Sequence, residues 1–290
     1  MNASVSVATA GQSGELTGVA QTARWTAASR ARESRRPDRL FNDPLAAVLA
    51  GEEGASLLTH FHTAHAADTG NPFLPIRTRW FDDYIAETVN PGSQVVSLGA
   101  GLDTRAYRLD WPDGITLYEV DHPVLLAYKR KTLAPTGATR RCDTREVPVD
   151  LGANWAAALR ETGFETGIRT VWFGEGLLFY LPEALARDVV TTAAELSGPG
   201  SRLAVDLIGT GIFRFRYMRE FLRRLQAANS PWVFGTDDPS GFVESCGWHI
   251  LAAAEPGHPT ANYGRWPEHA SPSTFPNLPR SYLISASLGR

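Results

Sequence analysis

Between Gln94 and Ile208 the chain alternates short apolar runs with helical stretches, and this alternation constrains the fold more than any other feature. The runs are Gln94–Leu98, Thr116–Val120, Arg145–Val149, Thr170–Phe173 and Arg202–Ile208. Between them, Val124–Thr132, Trp155–Thr162 and Pro182–Leu196 read as helices. Such an order predicts a parallel sheet with helices on both faces, because parallel strands need long crossovers. The pattern then changes. Pro239–Cys246 reads as a helix leading through Gly247 to Trp248–Leu251, and a Pro/Gly-rich loop precedes Arg280–Leu288. These last two runs have no helix between them, so they must pair antiparallel or leave the sheet. An ordinary dinucleotide dehydrogenase would instead add a sixth parallel strand.

Ahead of the first strand the chain reads as helical. Val19–Leu49 breaks at Pro37, with Asp43-Pro44 as a helix start; Ser56–Ala66 and Arg77–Val89 follow. The expected organisation is one domain over 1–290, with a mobile tail (1–17), a helical cap (18–90), a cofactor-binding core (91–208), a lid insertion (209–240) and a C-terminal strand pair (241–290). The lid centres on the helical stretch Phe213–Leu222, rich in Arg and aromatic residues. An amphipathic packing helix is the alternative reading of the same residues.

Bulk properties narrow the function. The formal net charge is −3, without the basic excess of a nucleic-acid binder. The run Lys129-Arg130-Lys131, with Arg140 and Arg141, reads as a solvated face. There is no secretory leader pattern and no apolar stretch long enough to span a bilayer. Cys142 and Cys246 have no metal-type spacing and form no disulfide framework, which fits a reducing, cytoplasmic location. His60, His62 and His65 match no zinc motif and read as a solvated helix face; no metal site is expected. His249 reads as a core residue of the sixth strand.

Four strand ends carry candidate chemistry. Gly99 and Gly101 let the backbone after the first strand approach a ligand closely, although a tight strand–helix turn uses the same residues. Thr104 stands where a dinucleotide fingerprint has its third glycine. Asp121, after the second strand, can accept hydrogen bonds from ribose hydroxyls of either a nicotinamide or an adenosyl cofactor; Glu119, on the same face, competes for that role. Asp150 and Leu151, after the third, suit an adenine amino group and its ring. Glu175, after the fourth, suits a cationic ligand, or else a buried ion pair with an arginine.

Taken together with Arg30–Glu33, Arg36–Asp38, Asp43–Ala46 and Arg77–Asp83, these segments resemble the leucine carboxyl methyltransferase family, in its bacterial small-molecule branch; the match is strong from residue 19 to about 208. The resemblance implies an α/β fold of the class I methyltransferase, Rossmann-like type. Its sheet would be seven-stranded and mostly parallel with an antiparallel last strand, and an N-terminal helical cap and a lid would cover it. It implies S-adenosyl-L-methionine as cofactor, released as S-adenosyl-L-homocysteine. Gly99 and Gly101 would line it, Asp121 hold the ribose, Asp150 and Leu151 the adenine, and Glu175 the methionine part. Arg77, or failing that Arg79, would take the cofactor carboxylate. The expected reaction is O-methylation of a carboxylate on an aromatic or polyketide acid, a specialised metabolite, with neither nucleic acid nor membrane as partner. A carboxylate is already ionised and needs orientation rather than a base, for which Tyr180 and Arg30 are candidates, with Arg214 and Arg216 behind them. A hydroxyl acceptor is the alternative, and a nicotinamide-dependent oxidoreductase the more distant one.

Overall fold

The computed structural model describes residues 18–61, 72–266 and 279–289. Among the described residues seven strands form one sheet in the order β3-β2-β1-β4-β5-β7-β6. They are β1 (Gln94–Leu98), β2 (Thr116–Asp121), β3 (Asp143–Pro148), β4 (Thr170–Gly174), β5 (Arg202–Ile208), β6 (His249–Ala254) and β7 (Ser281–Ser287). The first five are parallel, while β7 runs antiparallel between β5 and β6. The hairpin expected from the missing helix is therefore present, and it closes the sheet by inserting its second strand beside β5.

Alternate residues of the central strands feed two cores, which is why these strands read as unbroken apolar runs. Val96, Leu98, Tyr118, Val120 and Trp172 pack on one face against Trp155, Leu159, Val189 and Val190. Those residues belong to α6 (Trp155–Glu161) and α7 (Glu183–Leu196). Val95, Leu117, Val171 and Phe173 pack on the other face, against Ile76, Phe81 and Ile85 of α3 (Phe73–Thr88). Sheet polar groups inside this core are paired: the Trp172 indole N–H donates to Ser197 Oγ at 2.7 Å, and Tyr84 Oη donates to the Trp172 carbonyl at 3.2 Å.

Within the stretch 18–90 expected to form the cap, α1 (Val19–Ser34) and α2 (Ala46–Phe61) precede α3. Ala27, Ala28 and Ala50 allow the two helices to approach closely, and with Leu49 they pack on Leu102 and on Leu125 and Leu133 of α5 (Pro123–Leu133). Helix α2 bends at Gly51, whose φ of 60° lies in the left-handed region. Arg30 bolts this cap to the core. Its Nε donates to Asp43 Oδ2 at 2.8 Å and its Nη2 to the Leu102 carbonyl at 2.6 Å. The guanidinium expected to orient an acceptor is engaged in joining α1 to the segment after Gly101. Arg30→Ala is expected to lower stability by about 1.5 kcal/mol, the low end for hydrogen bonds to a charged group. Urea denaturation checks this; an unchanged midpoint would argue against the bolt.

Several expectations change in the structure. The lid is not one helix. It comprises α8 (Gly211–Arg214), a short 3-10 turn (Arg216–Met218) and α9 (Arg219–Ala227), separated by Phe215 in an extended conformation with ψ of 122°. Phe221 and Leu225 of α9 are buried against Trp25 and Leu74, so the amphipathic packing reading holds for this part. Arg214 and Arg216 are exposed, Arg214 beside Asp237 at 3.7 Å. His249 is exposed rather than in the core, because β6 is the outer strand of the sheet. Lys129 departs from the solvated face read for its run: it is buried and paired with Glu119 at 2.7 Å, while Arg130 and Lys131 stay exposed. The tail 1–17, His62 and His65 lie outside the described residues, as does the side chain of His60. Among the described residues no helix is long and apolar enough to cross a membrane, and no cluster of His, Cys, Asp and Glu could hold a metal ion.

Candidate functional site

The chain leaves β1 toward β2 on one side and reaches β4 on the other, so the loops after these strands part above β1. Open α/β sheets bind ligands at such a switch point, at the carboxyl ends of their strands. The Gly99–Gly101 turn is anchored there. Gly99 and Ala100 N–H donate to the Val120 carbonyl at 2.9 and 3.1 Å, and Gly101 N–H donates to Asp121 Oδ2 at 2.6 Å. Both glycines have positive φ, 65° and 52°. A Cβ on Gly99 would also lie 2.8 Å from Leu177 Cδ1. These glycines therefore shape the turn itself.

Asp121 accepts a second backbone hydrogen bond, from His122 N–H to Oδ1 at 2.6 Å, and the residue as a whole is half-buried. Each oxygen keeps a further lone pair. Burial nonetheless pushes its pKa above the ordinary value, against the pull of these N–H groups. Glu119, the alternative to Asp121, points its side chain into the buried pair with Lys129. Asp150 Oδ1 accepts from Gly152 N–H at 2.7 Å, and Leu151 is buried beside it.

Glu175 lies at the centre of a buried charge network. It accepts from Arg77 Nε at 3.1 Å, Arg105 Nη2 at 2.7 Å and Thr78 Oγ1 at 3.3 Å. The ion pair weighed against a ligand role is thus present, with two arginines rather than one. Burial tends to raise the Glu175 pKa, but Arg105 and Arg77 outweigh it and hold the carboxylate below its ordinary range. Arg105 further bonds Asp82, Asp103 and the Thr78 carbonyl, and Arg108 grips Asp82 with both terminal nitrogens. Arg77 Nη1 donates to Asp206 Oδ2 at 3.2 Å.

The helix separates its two candidate arginines. Residues 77 and 79 project on different sides of α3, since successive side chains turn by about 100°. Arg77 enters the network, whereas Arg79 turns to Asp83 and the Leu40 carbonyl. There it lines a different cavity, of about 410 Å³, with Phe41, Asp82, Tyr107 and Arg108. The structure does not bring Arg79 to the strand-end crevice. Tyr180, on the turn Leu178–Tyr180, is buried, hydrogen-bonded with Thr22 and packed edge-on to Trp232 with ring centroids 6.4 Å apart. Burial raises its pKa, so the phenol stays neutral at physiological pH and can donate a proton in a hydrogen bond.

Sequence reading missed Asp206 and assigned no role to Arg105, Asp82 or Asp103. Arg105 opens the short helix α4 (Arg105–Arg108) in the segment after β1, but nothing local announces that it reaches Glu175, 70 residues away.

The sheet order, the inserted antiparallel strand and the switch point above β1 define a class I methyltransferase fold. The chain belongs to the leucine carboxyl methyltransferase family, whose sequence profile matches residues 23–194. A protein of Mycobacteroides abscessus, named for S-adenosyl-L-methionine-dependent methyl transfer, is 43% identical over 197 residues, 66% of this chain and 64% of that protein. A similarly named protein of Mycobacterium marinum is 43% identical over 65% of this chain and 66% of its own length. The chain thus spans just under two thirds of these curated relatives. A DUF574 family protein of Streptomyces avermitilis shares the fold with a TM-score of 0.57 at 14% identity, covering 94% of this chain and 98% of that one. An N-methyltransferase of Haemonchus contortus, solved with phosphomonomethylethanolamine and S-adenosylhomocysteine, superposes with a TM-score of 0.50 at 11% identity, over 76% of this chain and 56% of its own.

Proposed function

We propose that the protein is an S-adenosylmethionine-dependent O-methyltransferase that esterifies a carboxylate of a small molecule. The observation that carries the reading is the charge balance beside the crevice. Asp82, Asp103, Glu175 and Asp206 form one connected network with Arg77, Arg105 and Arg108, four carboxylates to three guanidiniums. An uncompensated buried carboxylate costs several kcal/mol, so a cation suits this place. The cofactor carries a sulfonium, an ammonium and one carboxylate, a net charge of +1, and supplies a methyl group on its sulfur when bound.

The chain's own residues divide the binding work. Gly99 and Gly101 bring backbone close to the ligand, Asp121 takes the ribose hydroxyls, and Asp150 with Leu151 receives the adenine. Glu175 receives the ammonium, and Arg77, rather than Arg79, the carboxylate. Tyr180 orients the acceptor as a neutral hydrogen-bond donor, in keeping with an acceptor that is ionised already and needs no general base. Phe213 and Tyr217, exposed on the lid, suit a flat aromatic or polyketide acid. Arg30, tied to Asp43 and Leu102, is assigned to the cap and not to the acceptor.

Incubation with the cofactor and a panel of aromatic and polyketide acids, read by mass spectrometry, tests the chemistry. The expected product is heavier by one methylene and reverts to the acid under mild alkali. A methylated product that survives alkali would place the methyl on a hydroxyl group instead.

A further inference from the structure

We infer that Asp206, on the neighbouring strand β5, is a positioning residue that aims Arg77 at the amino-acid end of the ligand; this rests on the cofactor reading above. Its carboxylate serves two elements at once. Oδ2 accepts from Arg77 Nη1 at 3.2 Å, and Oδ1 accepts from the backbone N–H of Gly176 at 2.6 Å. One side chain therefore fixes both the arginine and the residue that follows Glu175. The contact from Glu175 to Arg77 Nε leaves Nη2 with no hydrogen bond among the described residues.

Gly176 is shaped to this arrangement. A Cβ there would lie 3.0 Å from both terminal nitrogens of Arg77, and its φ is +70°. The guanidinium thus lies against the Gly176 backbone, held from one side by Asp206 and from another by Glu175. Asp206 is only 1% exposed. Burying a carboxylate so deeply in a central strand is costly, and an apolar residue would serve the sheet better if packing were the sole requirement. With Asp206 in place, Arg77 need not be reoriented when an anionic group arrives, which lowers the ordering cost of binding.

Asp206→Asn keeps an acceptor for Gly176 N–H and removes the charge that holds Arg77. Isothermal titration of wild type and variant should use two probes, S-adenosylhomocysteine and 5′-methylthioadenosine, which has the nucleoside but no amino-acid part. The variant is expected to bind S-adenosylhomocysteine about tenfold more weakly or worse, the change that follows from a lost charged hydrogen bond. Its affinity for methylthioadenosine is expected to match wild type, which also reports a folded nucleoside site. Should Asp206→Asn not fold, Asp206→Glu keeps the charge at a displaced position and is expected to shift the ratio of the two affinities in the same direction. An unchanged ratio in the variant that folds overturns the inference, whether both affinities hold or both fall together. Wild type that fails to bind either probe overturns the cofactor reading instead, and the inference with it.

Discussion

Arg105→Met is expected to be the most damaging single substitution in the site, costing about 3–5 kcal/mol of stability, the range for removing one partner of a buried ion pair. Arg105 is 3% exposed and neutralises Asp82, Asp103 and Glu175 at 2.7 Å each. Methionine fills similar volume but leaves Arg77 and Arg108 to face four carboxylates. The change should also alter the response to acid. Burial works to make Asp103 and Glu175 less acidic, but Arg105 heads the opposing charges and leaves both more acidic than usual. Their stabilisation is present above the ordinary carboxylate range and is lost as pH falls through their lowered folded values. Asp206 and Asp121, made less acidic chiefly by burial, contribute with the opposite sign. Urea denaturation across the acidic range is expected to show wild type losing more stability on acidification than Arg105→Met. A variant as stable as wild type at neutral pH would mean that the network is dispensable.

Asp121→Ala is expected to weaken S-adenosylhomocysteine binding by about 1.5–3 kcal/mol, the range for hydrogen bonds to a charged group. The side chain also holds Gly101 and His122 N–H, so part of the loss passes through the shape of the glycine turn. Glu119→Gln separates the two carboxylates of β2. It should cost stability, through Lys129, while leaving the affinity of the folded protein near that of wild type. Titration calorimetry of both variants checks the assignment; an unchanged dissociation constant for Asp121→Ala would mean the ribose is held elsewhere.

What could be read from the chain follows from the range of each interaction. Val95, Val96, Val171 and Trp172 announce themselves because a parallel strand buried on both faces has no polar alternation. Gly99 and Gly101 mark a turn that requires positive φ. The antiparallel pairing of the last two strands follows from the absence of a helix between them, but the insertion of β7 beside β5 does not. The charge network was not legible. Arg77 meets Asp206 across 129 residues and Glu175 across 98, and a carboxylate within an apolar strand such as β5 does not reveal its partner. Arg30 reads as an acceptor candidate only because an ionised acceptor needs a cation, and nothing near it in the chain shows that it bonds the Leu102 carbonyl, 72 residues away. Phe213–Leu222 reads as one helix because its apolar spacing is helical, yet Phe215 is extended and Phe221 of α9 is buried beside Trp25 and Leu74.

The proposed ligand of the switch point above β1 is an adenosyl cofactor with a cationic sulfur. Isothermal titration of the wild-type chain with S-adenosylmethionine and with NAD tests it most directly. Saturable one-to-one binding of the first and none of the second is expected. Binding of NAD, with S-adenosylmethionine giving no heat at saturating concentration, would contradict it.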